Sequence, residues 1–294
     1  MKNIAFIVNP ISGTKTKNRV SKLIRESLNL QVFSPTIVTT EYAGHATLLA
    51  QHFALEGYYA VVAVGGDGTV NEVATGLAGT NTALGIIPNG SGNGLARHLD
   101  ISTRMNRAIE MLNNSEIINI DYGMVNEKAF FSTCGIGFDA LVAQQFNNGN
   151  TRGLTGYVQN IVNNIFQYKP ESYHITGDGI DFSTRALLVN FANANQWGYD
   201  AYIAPKASIQ DGLLDMVIID SMPIVAAAEL TFNYISKFFE EEGLHANTIR
   251  VKEVTLTRES AAPIHIDGDP IEMPAELHVK IIEDGLKVLV KKRF

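Results

Sequence analysis

The chain has 294 residues, 46% of them hydrophobic and 18% charged, with a formal net charge of −7. That length exceeds what one hydrophobic core usually organises, so two domains are expected, and the composition excludes wholesale disorder. The single cysteine, Cys134, excludes an intrachain disulfide and suits a reducing compartment, and the negative balance argues against a nucleic-acid partner held by a broad basic face. Along the first 115 or so residues two periods alternate. Residues 4–8 are a short apolar run that Asn9-Pro10 ends, too short for a signal-peptide core and of strand length. Residues 17–30 place Val20, Leu23, Ile24 and Leu28 at helical spacing. Strands are expected at 32–40, 58–64 and 83–87, and helices at 45–55, 70–77, 94–99 and 104–112. Such alternation implies a parallel sheet with helices on both sides.

Beyond residue 116 short β-branched segments follow one another closely, at 117–125, 128–133, 173–176, 184–190, 213–219, 248–257, 264–267, 276–282 and 286–290. They suggest an antiparallel sandwich, interrupted by helices at 154–167 and 224–239. The expected division is an α/β domain, 1–116, and a β-sandwich domain, 117–294. Residues 216–230 are the nearest approach to a spanning helix, but Asp220, Ser221, Pro223 and Glu229 make them a strand, a turn and a helix.

The strongest local signal follows the strand at 58–64. Gly65-Gly66-Asp67-Gly68-Thr69-Val70-Asn71-Glu72 runs from an apolar strand into a helix with Thr69 as the expected N-cap. Glycines permit positive φ and close approach to a ligand, and a helix start offers N–H groups to an anion. Asp67 repels phosphate, which makes sense if it works through a cation or accepts a proton. A plain strand-to-helix turn is the competing reading. Asn9-Pro10-Ile11-Ser12-Gly13, with Lys15 beyond, follows the first strand, and Pro88-Asn89-Gly90-Ser91-Gly92-Asn93-Gly94 the fourth. Ligands of open parallel sheets sit outside the carboxyl ends of the strands, so three such loops together point to a nucleotide. Neither a Walker loop nor a Gly-x-Gly-x-x-Gly opening is present.

The Asn-Pro-x-Ser-Gly start, Gly-Gly-Asp-Gly-Thr-x-Asn-Glu-Val and the Gly-Ser-Gly-Asn loop, in this order, resemble the diacylglycerol kinase catalytic-domain family, which includes bacterial soluble lipid kinases and the sphingosine and ceramide kinases. The resemblance implies a phosphofructokinase-like α/β domain, a C-terminal β-sandwich and ATP in the cleft between them. It implies ATP contacts from Asn9, Pro10, Ser12, Gly13, Lys15, Thr40, Gly65, Gly66, Asp67, Gly68, Thr69, Asn71, Glu72, Ser91 and Asn93. Gly94 departs from the Asp of many bacterial members. Asp211-Gly212-Leu213-Leu214 resembles the family element that holds a structural Mg²⁺. Carried over, Asp211 supplies a carboxylate and Ser208 and Leu213 supply carbonyls, a hard-oxygen set, with Asp121 joining through water. Asp267-Gly268-Asp269 resembles the family's Asp-Gly-Glu motif, in which the second acid takes the lipid hydroxyl proton. Asp269 is one methylene shorter, Asp67 is a rival base, and an Asp-Gly hairpin turn is the alternative.

The seven histidines show no metal spacing, and Cys134 reads as a small buried residue. An apolar helix face from Leu154 to Phe166 and the cluster Trp197, Tyr199 and Tyr202 could line a lipid cleft, though core packing is the commoner use of both. The resemblance implies an ATP- and Mg²⁺-dependent lipid kinase in the cytoplasm. It would act on a diacylglycerol-like or sphingoid lipid at a transient membrane surface on the inner face, without nucleic acid, and a homodimer is compatible with it. A soluble-metabolite kinase of the NAD type and a non-catalytic nucleotide- or lipid-binding regulator are the alternatives.

Overall fold

The computed structural model describes residues 1–12, 17–148, 164, 167–220 and 246–292. The expected helices at 154–167 and 224–239, the apolar face from Leu154 to Phe166, and Gly13 and Lys15 lie outside these residues, Asn164 and Gln167 apart. The chain forms two compact units, Met1–Ile120 with Asp284–Phe294, and Asp121–Glu283. The last eleven residues therefore belong with the first unit, and the units are not the two contiguous pieces 1–116 and 117–294.

Unit 1 begins with β1 (Lys2–Val8), α1 (Lys17–Ser27), β2 (Phe33–Thr39), α2 (His45–Leu55), β3 (Ala60–Gly65), α3 (Asp67–Leu77) and β4 (Ala83–Pro88). α4 (Gly94–His98) and α5 (Met105–Leu112) follow. The four strands are parallel in the order β2-β1-β3-β4. The apolar runs fit strands covered on both faces: β3 and β4 are buried throughout, as is β1 from Ile4 to Val8. α2 packs on α3, and α1 on α5, the two helix layers that successive right-handed crossovers require. The first crossover leads from β1 to one side and the next to the other, so the strand order reverses at β1. The crevice where open α/β sheets take ligands is thus at the carboxyl ends of β1 and β3.

Unit 2 takes up the chain within β5 (Ser115–Val125), followed by β6 (Lys128–Phe130), β7 (Thr133–Gly137) and a helix the sequence did not suggest, α6 (Phe138–Asn148). β8 (Glu171–Gly177), β9 (Ile180–Ala186), β10 (Leu188–Ala192), β11 (Gln196–Gly198), β12 (Ala201–Tyr202), β13 (Leu214–Ile219), β14 (Ala246–Val251), β15 (Glu253–Arg258), β16 (Ala262–Ile266) and β17 (Asp269–Met273) complete it with the first half of β18 (Glu276–Lys291). One sheet of the sandwich runs β14-β13-β10-β7-β16-β17, antiparallel throughout. The other carries β18-β15-β8-β9. Phe130, Ile136, Tyr173, Phe191, Met216 and Leu256 lie in the core. α6 packs against the six-stranded sheet through Phe138 and Val142, which join Leu188, Val217 and Trp197 in a second apolar cluster.

Several strands differ from expectation: residues 128–133 divide between β6 and β7, and β11, β12 and β17 are additional. Residues 184–190 divide at Leu187 and residues 248–257 at Lys252, because at each point the chain passes from one sheet to the other without breaking its apolar pattern. Residues 276–290 form one strand instead of two; Asp284, at φ 52°, is taken up as an irregularity within it. In unit 1 the end of β18 runs parallel to β4, with Val288 opposite Leu84.

Candidate functional site

In unit 1 the three loops at the carboxyl edge are tied to one another. Asn9, directly after β1, donates from Nδ2 to Thr69 Oγ1 (3.0 Å) and accepts the Ile11 N–H on Oδ1 (3.0 Å). Ser12 Oγ donates to the Asn9 carbonyl (2.9 Å), and Asn89 Nδ2 to the Ser12 carbonyl (2.7 Å). Asp67 accepts the N–H of Asn93 on one carboxylate oxygen (2.8 Å) and that of Gly94 on the other (2.7 Å). Asn93, at φ 57°, accepts the Gly90 N–H and donates back to the Gly90 carbonyl. Glu72 receives the N–H groups of Gly44 (2.8 Å) and Ala46 (3.0 Å), fixing the start of α2, and the Thr40 N–H continues the ladder to Val8.

The glycines serve contact more than torsion. Gly66 is extended, with φ −90°, and a Cβ on Gly90 would stand 2.4 Å from the Gly66 Cα. The second and third loops therefore touch backbone to backbone. α3 starts at Asp67, with Gly66 as its N-cap and no side-chain cap; Thr69, the expected cap, is already in the first turn because β3 passes straight into the helix. Asn9, Ser12, Thr69, Asp67 and Asn93 are thus brought together by hydrogen bonds, and Gly65, Gly66 and Gly68 lie on the same junction. Pro10 and Ser91 are exposed, and Thr40, Asn71 and Glu72 half-buried.

In unit 2, Asp267 and Gly268 make the two-residue turn between β16 and β17, both in the left-handed region at φ 49° and 89°. The Asp267 carboxylate accepts the N–H groups of Phe131 (3.0 Å), Ser132 (2.7 Å) and Thr133 (3.1 Å), so it anchors the turn to the chain entering β7. Asp269 opens β17 with its side chain exposed. The second acidic loop is held by Asp121, which is buried: its N–H donates to the Ile209 carbonyl (2.7 Å), and its carboxylate accepts the Gly212 N–H (2.8 Å). Asp211 accepts the Leu213 N–H and lies 3.6 Å from Arg250, which is closer, at 3.2 Å, to the buried Asp215. Burial raises the Asp215 pKa, and the Arg250 guanidinium opposes that rise. Among the described residues no group of three His, Cys, Asp or Glu side chains could hold a metal. One carboxylate with two main-chain carbonyls needs no such group, and the donor set is all oxygen, which suits a hard cation. The weak 3.6 Å contact leaves Arg250 as a competitor for Asp211.

A polar cluster on the six-stranded sheet was missed in the sequence. Asp139 Oδ2 lies 2.9 Å from His265 Nε2 and accepts from Asn190 Nδ2 (2.7 Å) and Trp197 Nε1 (3.2 Å). The only hint was Gly135-Ile136-Gly137-Phe138-Asp139. A Cβ on Gly135 would fall 2.1 Å from Asp139 Oδ2 and 2.2 Å from His265 Nε2. Cys134 is buried in β7, and burial pushes its thiol pKa up. Trp197 packs against the apolar cluster under α6.

The diacylglycerol kinase catalytic domain family model matches residues 3–125, and that of the YegS C-terminal NAD kinase beta sandwich-like domain matches residues 132–290. The chain is 30% identical over 224 residues to a diacylglycerol kinase of Bacillus subtilis (strain 168), 74% of this chain and 74% of that protein. It is 26% identical over 251 residues to a probable lipid kinase YegS-like of Pseudomonas putida, covering 81% and 82% of the two. The crystal structure of a diacylglycerol kinase from Bacillus anthracis str. Sterne shares the fold, with a TM-score of 0.74 at 22% identity over 98% of this chain and 97% of that one. With the α/β unit, the sandwich and the joined glycine loops in hand, the chain belongs to the diacylglycerol kinase catalytic-domain family.

Proposed function

We propose that the protein is an ATP- and Mg²⁺-dependent lipid kinase that phosphorylates a hydroxyl of a diacylglycerol-like or sphingoid lipid. The observation that carries the nucleotide half is the joining of the loops after β1, β3 and β4 at the sheet's switch point, with an uncapped α3 N-terminus among them. Backbone N–H groups and the helix dipole at such a place take phosphate whatever the protein's net charge. Asn9, Ser12, Thr40, residues 66–72 and Ser91 would bind ATP, joined by Gly13 and Lys15 from outside the described residues.

In the transfer, the lipid oxygen forms a bond to the γ-phosphorus as the bond from that phosphorus to the β,γ-bridging oxygen breaks. ADP leaves, and the hydroxyl proton passes to the Asp269 carboxylate. Bound Mg²⁺ would neutralise phosphate charge. Asp211, with the Ser208 and Leu213 carbonyls, would hold a metal ion, and Asp121 keeps that loop in shape. Asp67 braces the second loop against the third, and Asp267 braces the turn that bears Asp269. No described helix is long and apolar enough to cross a membrane. The lipid would be met by transient docking at the cytoplasmic face of a membrane. The test is purified protein with ATP and Mg²⁺ against dispersed diacylglycerols, monoacylglycerols, sphingoid bases and NAD. Phosphorylation of a lipid class is expected; transfer to NAD alone, or to nothing, would overturn the reading.

A further inference from the structure

We propose that Asp139 and His265 are a buried positioning pair: Asp139 fixes the imidazole tautomer, and His265 Nδ1 holds the turn that aims Asp269. This rests on the lipid-kinase reading and gives both residues a role that touches no substrate. Each is under 5% exposed, with 2.9 Å between His265 Nε2 and Asp139 Oδ2. That oxygen accepts hydrogen bonds from Asn190 and Trp197, so the carboxylate is held in place beside the ring. Nε2 lies at ion-pair distance from that oxygen without a hydrogen bond aligned to it, and the neutral tautomer with Nε2–H, the one a facing carboxylate favours, leaves Nδ1 as the acceptor. Nδ1 receives the Gly268 N–H (3.3 Å), the residue directly before Asp269.

Packing alone does not account for the pair. A buried ionisable pair seldom stabilises more than apolar residues of the same volume. Here β7 also gives up a side chain for it, since any Cβ on Gly135 would overlap both partners. The pair connects α6 to the turn through one hydrogen bond, while Asp267 holds the same turn from the other side through the N–H groups of residues 131–133. Two independent anchors on a two-residue turn fix the direction of the side chain that follows it. The charged groups facing the ring are Asp139 from α6 and Asp267 and Asp269 from the turn. Burial disfavours the protonated ring, but these carboxylates outweigh it and raise the His265 pKa. Protonation at Nδ1 removes the acceptor and releases Gly268.

His265→Asn and His265→Gln separate the two bonds. Asn places an amide oxygen near the position of Nδ1 and keeps the acceptor for Gly268; Gln places an amide N–H near Nε2 and keeps only the donor to Asp139. With saturating lipid, His265→Asn should keep kcat within about tenfold of the parent and His265→Gln should lose about a hundredfold, the scale of a 1 Å misplacement, with KM for ATP unchanged in both. Amide exchange at Gly268 should stay protected in the Asn variant and become fast in the Gln variant. ¹⁵N spectra of the parent should show the Nε2–H tautomer once the ring is neutral. Equal or reversed losses in the two variants, or an Nδ1–H tautomer, overturn the proposal. A parent protein inactive on every lipid but with the expected Gly268 exchange pattern and tautomer defeats the lipid-kinase reading and leaves the pair's hold on the turn established.

Discussion

Five of the motif acids are held by backbone N–H groups: Asp67 by residues 93 and 94, Glu72 by Gly44 and Ala46, Asp121 by Gly212, Asp211 by Leu213, and Asp267 by residues 131–133. Charge on these residues shapes loops, while Asp269, exposed at the start of β17, is the acid proposed to take the lipid hydroxyl proton. Asp269→Ala should lower kcat by roughly 10²–10⁴ with little change in unfolding midpoint, the range for loss of a general base. Asp267→Ala should do the opposite first: it leaves N–H donors unpaired at about 1–3 kcal/mol each where they are buried, so the midpoint falls before activity is considered. Equal stability of the two variants would contradict this division. The His265 pKa lies above its ordinary value, so the charged ring's stabilisation is full below about pH 6.5 and is lost as pH rises through the folded value. Asp139→Asn should therefore lower the unfolding midpoint more at about pH 5.5 than at about pH 8.5. Turn alignment runs the other way, since the Gly268 contact needs the neutral ring; an acid limb in kcat should move in His265→Asn.

At the scale of elements, the loops after β3 and β4 meet where Gly66 and Gly90 leave no room for a Cβ. Gly90→Ala should cost about 1–3 kcal/mol by overpacking and weaken ATP binding, read by calorimetry; an unchanged affinity would show that the loops move independently. Arg250 on β14 lies against Asp211 and Asp215. Arg250→Gln should tighten Mg²⁺ binding severalfold in titration calorimetry, and no change would argue against metal at Asp211. The sheet strands and their helices in unit 1 were legible because parallel strands buried on both faces read as apolar runs, and the 45–55 helix was found at both its ends. The glycine loops were legible as a set. What they do to one another was not: the role of Asp67 depends on Asn93 and Gly94, 26 and 27 residues away. The Asp139–His265 pair was illegible for the same reason, being brought together by β7 and β16 across 126 positions of sequence. α6 was hidden because its apolar residues merge with those of β7.

At the scale of the whole molecule, the two units are assigned different substrates. ATP binding to unit 1 should raise its unfolding midpoint, by the equivalent of about 2.7 kcal/mol at a hundredfold excess over Kd, and a lipid analogue should not reproduce that gain. Because two units need not unfold together, separate transitions are expected in calorimetry. The −7 charge gives no general attraction to anionic lipid, so docking should depend on apolar contact and change little with salt. The most direct measurement of the central claim is transfer of labelled γ-phosphate from ATP to dispersed lipid, with the parent protein and Asp269→Ala side by side. Labelled lipid from the parent and a loss of roughly 10² or more in the variant is the predicted result. No labelled lipid from the parent, or full transfer by the variant, would contradict it.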